Sequence, residues 1–153
     1  MPNTYSQLYI HIVFTVKNRH CFIKKHWRDD LYKYICGIAK NKSQKVYAIG
    51  GIEDHIHILM SMRPSISVSA LVGLIKTNSS KWINEKGLVP SGFQWQEGFG
   101  AFSCSQSHIS KVANYIANQE AHHSEKTFRQ EYIDLLEKYD VDYDEQFLFQ
   151  WLN

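Results

Sequence analysis

The chain is poor in cysteine. Cys21, Cys36 and Cys104 are the only three in 153 residues, widely spaced and without a CxxC pair. That argues against a zinc site built on cysteine, and the odd number argues against a secreted disulfide framework. A long hydrophobic run is also missing. The apolar stretch at 8–16 is interrupted by His11 and is too short to span a bilayer or to read as a signal peptide. A soluble, cytoplasmic protein with no membrane partner is expected. Internal repeats, low-complexity runs and long linkers are absent, and the length suits one domain over residues 1–153.

What is present suits a packed domain with a polar task. Hydrophobic residues make up 44% of the chain, enough for a core. Its nine tyrosines serve a well-filled core or a base-stacking surface equally well. The net charge of +2 hides an asymmetry. Residues 1–45 carry nine Lys/Arg and two acids, whereas residues 120–153 carry three and nine. The basic first third is either a surface for a polyanion or the solvated face of a helix.

Hydropathy patterning gives the order β-α-β-β-α-β followed by two helices. Residues 6–16 alternate with period two, and residues 25–41 place apolar side chains at helical spacing. Strands are expected at 44–52 and 55–62, joined tightly through Glu53 and Asp54. A helix is expected over 67–86, opened by Ser65 or Ser67 and closed by Gly87. Residues 93–105 read as a strand or hairpin broken by Gly98 and Gly100, then helices follow over 107–119 and 127–139, and an acidic aromatic tail. The first six elements predict an α+β, ferredoxin-like (split βαβ) antiparallel sheet, with two helices on one face and the other face free.

Two short patterns carry chemistry. His55-Ile56-His57 lies in a predicted strand, so both imidazoles point to one face while Ile56 and Ile58 point to the core. Two neighbouring imidazoles suit a divalent metal; two unrelated histidines on a polar sheet face is the competing reading. Tyr115 and Gln119 stand at i and i+4 on a predicted helix and share a face. Among the nine tyrosines only Tyr115 has an amide, carboxylate or imidazole at i+4.

The two patterns together resemble the single-tyrosine HUH transposases of the insertion-sequence-200/605 type. HUH denotes His, a bulky hydrophobe, His, and YxxxQ matches Tyr115 and Gln119. The likeness extends through HIVFTVKNRH, DHIHIL, LIKTNSSKW, WQEGFGAFS, YIANQEAHH and FRQEYIDLLEKY. It implies magnesium or manganese on His55, His57 and Gln119, with Tyr115 attacking a phosphate of single-stranded hairpin DNA. A homodimer is implied too, in which the tyrosine helix often serves the partner's histidines, with residues 98–100 and 103–107 letting that helix swing. Lys76 matches a basic position of the family, and Lys17 and Arg19 close the first strand; each is a candidate DNA contact. Tyrosine ionises near pH 10, so its proton needs an acceptor, and His122 and His123 are near in sequence. His11 is expected on the same sheet face, as a hydrogen-bonded structural histidine. Asp54 shapes the turn or supports a histidine of the pair.

Other readings compete. Relaxases and replication initiators use the same chemistry but often carry additional domains, for which this length leaves no room. A non-catalytic or host-adopted single-strand binding protein is the alternative of a different class, although no RNP-type aromatic string occurs.

Overall fold

Strand alternation sorts the side chains before any helix is added. In a computed structural model, which describes residues 3–124, 126–144 and 148, β1 (Tyr9–Thr15) sends Ile10, Ile12 and Phe14 to one face of the sheet and His11 and Val13 to the other. The chain continues through α1 (Lys25–Asn41), β2 (Lys45–Gly51), β3 (His55–Ser61), α2 (Val68–Glu85), β4 (Gly100–Cys104), α3 (Ile109–Ala117), α4 (Gln119–His123) and α5 (Phe128–Lys138). The strands pair antiparallel in the order β2-β3-β1-β4. This is the ferredoxin-like sheet that the sequence predicts.

Ile12, Phe14, Ile56, Ile58 and Met60 meet Leu31 and Ile35 of α1 and Leu71 and Ile75 of α2 in the main core. Each such side chain contributes about 1.5–3 kcal/mol when fully buried, so this layer sets the sheet's position. Local signals fix the helix ends. Ser67 accepts a hydrogen bond from the Ala70 amide at 3.0 Å, capping α2. Gly87 follows that helix with φ of 63°, a left-handed value that glycine adopts without steric cost.

Three expectations change. The second sheet face is not free: Val13 and Phe102 project from it and bury against Phe128 and Leu136 of α5. Left uncovered, those apolar groups would face water. The region 93–105 contributes β4 only from Gly100 onward. Upstream, Val16 and Trp95 form an isolated bridge, and Gly98 turns the chain at φ of 90°. The tyrosine helix is interrupted. A 3-10 turn occupies 106–108, α3 ends at Ala117, and Asn118 sits at φ −103° and ψ 26°. The Asn118 side chain donates to the Asn114 carbonyl at 2.9 Å, a local bond that competes with helix continuation. Of the acidic tail, residues 145–147 and 149–153 lie outside the described residues.

Candidate metal and tyrosine site

The site forms where β3, β1, α3, α4 and α5 meet on the second sheet face. The pairing of β1 with β3 sets Val13 opposite His57 and Thr15 opposite His55. Both histidines are fully buried. α3 reaches them by lying close on β2: a Cβ on Gly50 would stand 2.5 Å from the Ile116 carbonyl oxygen. Only glycine permits that approach, and Gly50 is the register partner of His57.

Each imidazole is held from behind. His55 Nδ1 lies 2.6 Å from Asp54 Oδ1, and His57 Nδ1 lies 2.8 Å from His11 Nε2. The Phe128 ring stacks on His55, with centroids 4.1 Å apart. His11 is therefore on the metal-facing side of the sheet, bonded to one of the pair, and Asp54 both closes the turn and orients the other.

The Nε2 atoms of the pair converge on a residue that sequence reasoning missed. Glu131 Oε1 is 3.1 Å from His57 Nε2, 3.3 Å from His55 Nε2 and 3.1 Å from His123 Nε2. Gln119 Oε1 lies 2.9 Å from His55 Nε2, and its amide nitrogen donates to Glu131 Oε2 at 3.0 Å. The Tyr115 hydroxyl donates to that same Oε2. Thus Tyr115, His55, His57 and Gln119 come together within one chain, although Tyr115 and Gln119 sit on separate helices. His122 packs its ring 4.6 Å from that of Tyr115, and His123 lies inside the cluster. A sequence signal for Glu131 does exist: it falls on the apolar face of α5, three residues after Phe128 and one before Tyr132. What it meets there, 74 residues upstream, is a tertiary fact.

The electrostatics follow from burial and partners. Burial opposes a charge on His55, but its hydrogen bonds to Asp54 and Glu131 and their negative charges outweigh that and raise it to about 9. Both of its ring nitrogens face oxygen, which favours its protonated form when no metal is bound. His57 is lowered to about 4 by burial and by the neighbouring His55. His11 is lowered to about 3 by burial and by His57. Burial works against the charge on Glu131, yet hydrogen bonds from His123, His55 and His57 together hold it far below the ordinary carboxylate range. Tyr115 is raised well above its ordinary value by burial and by the charge and hydrogen bond of Glu131.

His55, His57 and Glu131 can each offer a ligand atom, all within 4.8 Å of one another. The donor chemistry fits a divalent cation. Imidazole, carboxylate and amide oxygen are all ligand types, and a metal would take the place of the proton that the surrounding oxygens favour on His55.

The other expected contacts lie outside this cluster. Lys76 Nζ donates to the carbonyls of Gln96 and Gly98, both at 2.7 Å, and ties α2 to the turn before β4. Lys17 donates to Gln94 Oε1 at 2.7 Å, and Arg19 is exposed in the turn after β1. A cleft of about 720 Å³ opens between α3 and α5; Tyr115, Lys111, Lys138 and Tyr139 are among its walls. No helix among the described residues is long and apolar enough to cross a membrane.

Known proteins resemble this chain in sequence and fold. Residues 4–119 match the family described as transposase, IS200 like. The ISDra2 transposase TnpA of Deinococcus radiodurans is 24% identical over 118 residues, covering 74% of this chain and 84% of that protein. Among solved structures, a candidate transposase from Deinococcus radiodurans superposes with a TM-score of 0.61 at 20% identity, over 76% of this chain and 94% of that one. A REP-associated tyrosine transposase bound to a REP hairpin superposes with a TM-score of 0.59 at 15% identity, over 79% and 72%.

Proposed function

Because the chain belongs to the IS200-like transposase family, we propose that it cuts and rejoins single-stranded DNA at hairpin-flanked element ends through a 5′-phosphotyrosine, with Tyr115 as nucleophile. The observation that carries this is the meeting of the Tyr115 hydroxyl with the His55 and His57 side chains at one buried carboxylate. A nucleophile beside a cation site is what phosphoryl transfer to a side chain needs.

His55, His57 and Glu131 would hold the cation, with the Gln119 amide oxygen beside His55. A divalent metal there supplies charge stabilisation on the phosphate as the transition state forms. A carboxylate and an amide beside two imidazoles make the set hard enough for magnesium or manganese. The residues of the chain do the rest. Asp54 and His11 fix the two rings. Tyr115 Oη attacks phosphorus, the bond to the 3′ oxygen breaks, and the strand end leaves as a 3′-hydroxyl. The phosphotyrosine keeps the bond's energy, so a second 3′-hydroxyl rejoins the strand by the reverse step without ATP.

The cleft beside Tyr115 offers a way in for the strand, and Lys17 and Arg19 offer phosphate contacts at the end of β1. Lys76 would reach DNA only by leaving its two carbonyl partners. A structural neighbour holds a REP hairpin, and we read hairpin DNA as the partner here too. A two-fold dimer in the cytoplasm completes the reading, and sedimentation at micromolar protein tests the dimer.

The test uses a labelled single-stranded hairpin with Mg²⁺ or Mn²⁺. A covalent adduct is expected, and Tyr115→Phe should abolish it while leaving binding intact. His57→Ala should abolish it as well. An adduct that persists in Tyr115→Phe refutes the nucleophile. Tight binding with no adduct from any hairpin would favour the non-catalytic, host-adopted alternative.

A further inference from the structure

We infer that Glu131 is a positioning residue that holds Tyr115 at the metal centre of its own chain. The inference rests on the function proposed above and adds a part that the HUH and YxxxQ patterns do not contain. The two carboxylate oxygens divide the work. Oε1 faces the three imidazoles, at 3.1 Å from His57, 3.3 Å from His55 and 3.1 Å from His123. Oε2 faces the other way and accepts from the Tyr115 hydroxyl and, at 3.0 Å, from the Gln119 amide. One rigid, planar group therefore touches both the ligands and the nucleophile.

Two features make this contact decisive for Tyr115. First, Glu131 is 3% exposed, so water does not compete for either oxygen. A buried hydrogen bond to a charged group is stronger than an exposed one, and losing it leaves a partner unsatisfied. Second, α3 is short and only partly buried. It is nine residues long and buries only Ile116. A helix that short is marginal by itself. Its contact on β2 brings the carbonyl and the Cγ2 of Ile116 onto Gly50, which sets its distance from the sheet. Glu131 of α5 thus adds a buried polar restraint on α3 at Tyr115, beside the apolar contacts of that helix.

α5 also lies beyond residues 4–119, the segment that matches the family. The Glu131 latch ties nucleophile and histidines of the same chain, so each copy carries a complete site even within a dimer.

The experiment combines Glu131→Gln with a mixing assay. Glu131→Gln keeps the side chain's size, and circular dichroism checks that it folds. Manganese binding is followed by electron paramagnetic resonance, and adduct rates are taken at saturating Mn²⁺ and saturating hairpin. The expected result is a rate lower by about tenfold or more at saturation, with hairpin affinity unchanged. A rate that returns to wild type once Mn²⁺ saturates would reduce Glu131 to a ligand and overturn the latch. Mixing Tyr115→Phe with His57→Ala chains should give no adduct. Adduct near a quarter of the wild-type level, as expected when half the dimers are mixed and each has one intact composite site, would show the tyrosine serving a partner and overturn the claim. Hydrogen exchange separates this from failure of the transposase reading. Without DNA, Glu131→Gln should speed exchange of amides 109–117 several-fold and leave those of α1 unchanged, whether or not wild-type protein forms an adduct. Unchanged exchange in α3 would overturn the latch by itself.

Discussion

At the scale of single residues, the site is a set of imidazoles with opposed proton affinities. His55 is raised to about 9, while His57 and His11 are lowered to about 4 and about 3. In the unfolded chain all three titrate near 6.5. Below that value the unfolded chain takes up protons that folded His57 and His11 refuse, so stability falls as pH falls. Depression of Glu131 acts in the same direction at lower pH. Above it, folded His55 keeps a proton that the unfolded chain releases, so stability falls as pH rises toward about 9. Metal-free protein is therefore expected to melt at the highest temperature near pH 6.5, falling on both sides. Thermal unfolding with a chelator across the range from about 4 to about 9 checks this, and a flat profile would contradict it. Adding Mn²⁺ should flatten the alkaline side, because metal binding displaces the His55 proton. His55, His57, Tyr115 and Gln119 are legible in the sequence because strand and helix periodicity place each pair on one face. His123 is legible only as a nearby histidine, and Glu131 is not legible as part of the site, because its place on the apolar face of α5 does not say what lies across the gap.

Among the elements, the contact between α3 and β2 sets how close the helix of Tyr115 lies to the sheet. Gly50 has no left-handed φ, so alanine costs no backbone strain there, and a substitution reads the steric contact alone. Its Cβ would stand 2.5 Å from a backbone oxygen of Ile116. Gly50→Ala should destabilise the protein by about 1–3 kcal/mol as α3 is pushed off the sheet. Adduct formation should fall more than that loss of folded protein explains. Denaturant unfolding beside the hairpin assay measures both, and an unchanged adduct rate would mean that α3 tolerates the shift. Periodicity finds α1 and α2 nearly to the residue, since each has a continuous apolar stripe on a fixed sheet. It fails at Asn118, where an amide bonds its own backbone, and at β4, where Gly98 and Gly100 leave no alternation to read. It also leaves the second sheet face bare, because Val13 and Phe102 are too few to announce a second layer.

Over the whole molecule, charge is divided by position in the chain. The first third is strongly basic and the last segment strongly acidic. The exposed cations Lys17 and Arg19 stand past the end of β1, the end that also carries Thr15 opposite His55. If they touch phosphates, hairpin affinity falls linearly on a log–log plot against salt, and each contact adds about 0.7–0.9 to the slope. The double substitution Lys17→Ala with Arg19→Ala should lower that slope by roughly 1.5 and weaken binding to every hairpin alike. Titrations at several salt concentrations give the number, and an unchanged slope would move the DNA path elsewhere.

The burial of the histidine pair has a consequence for when the proposed reaction could start. His55, His57 and Gln119 are at most 1% exposed, and Glu131 fills the space between them. A phosphate reaches those atoms only if α5 yields. On the proposed function, a resting molecule would keep its metal-binding atoms covered while Tyr115 lines an open cleft. The free energy to unsheathe them has to come from gripping a DNA shape that fits, which turns recognition of the right strand into permission to cut it.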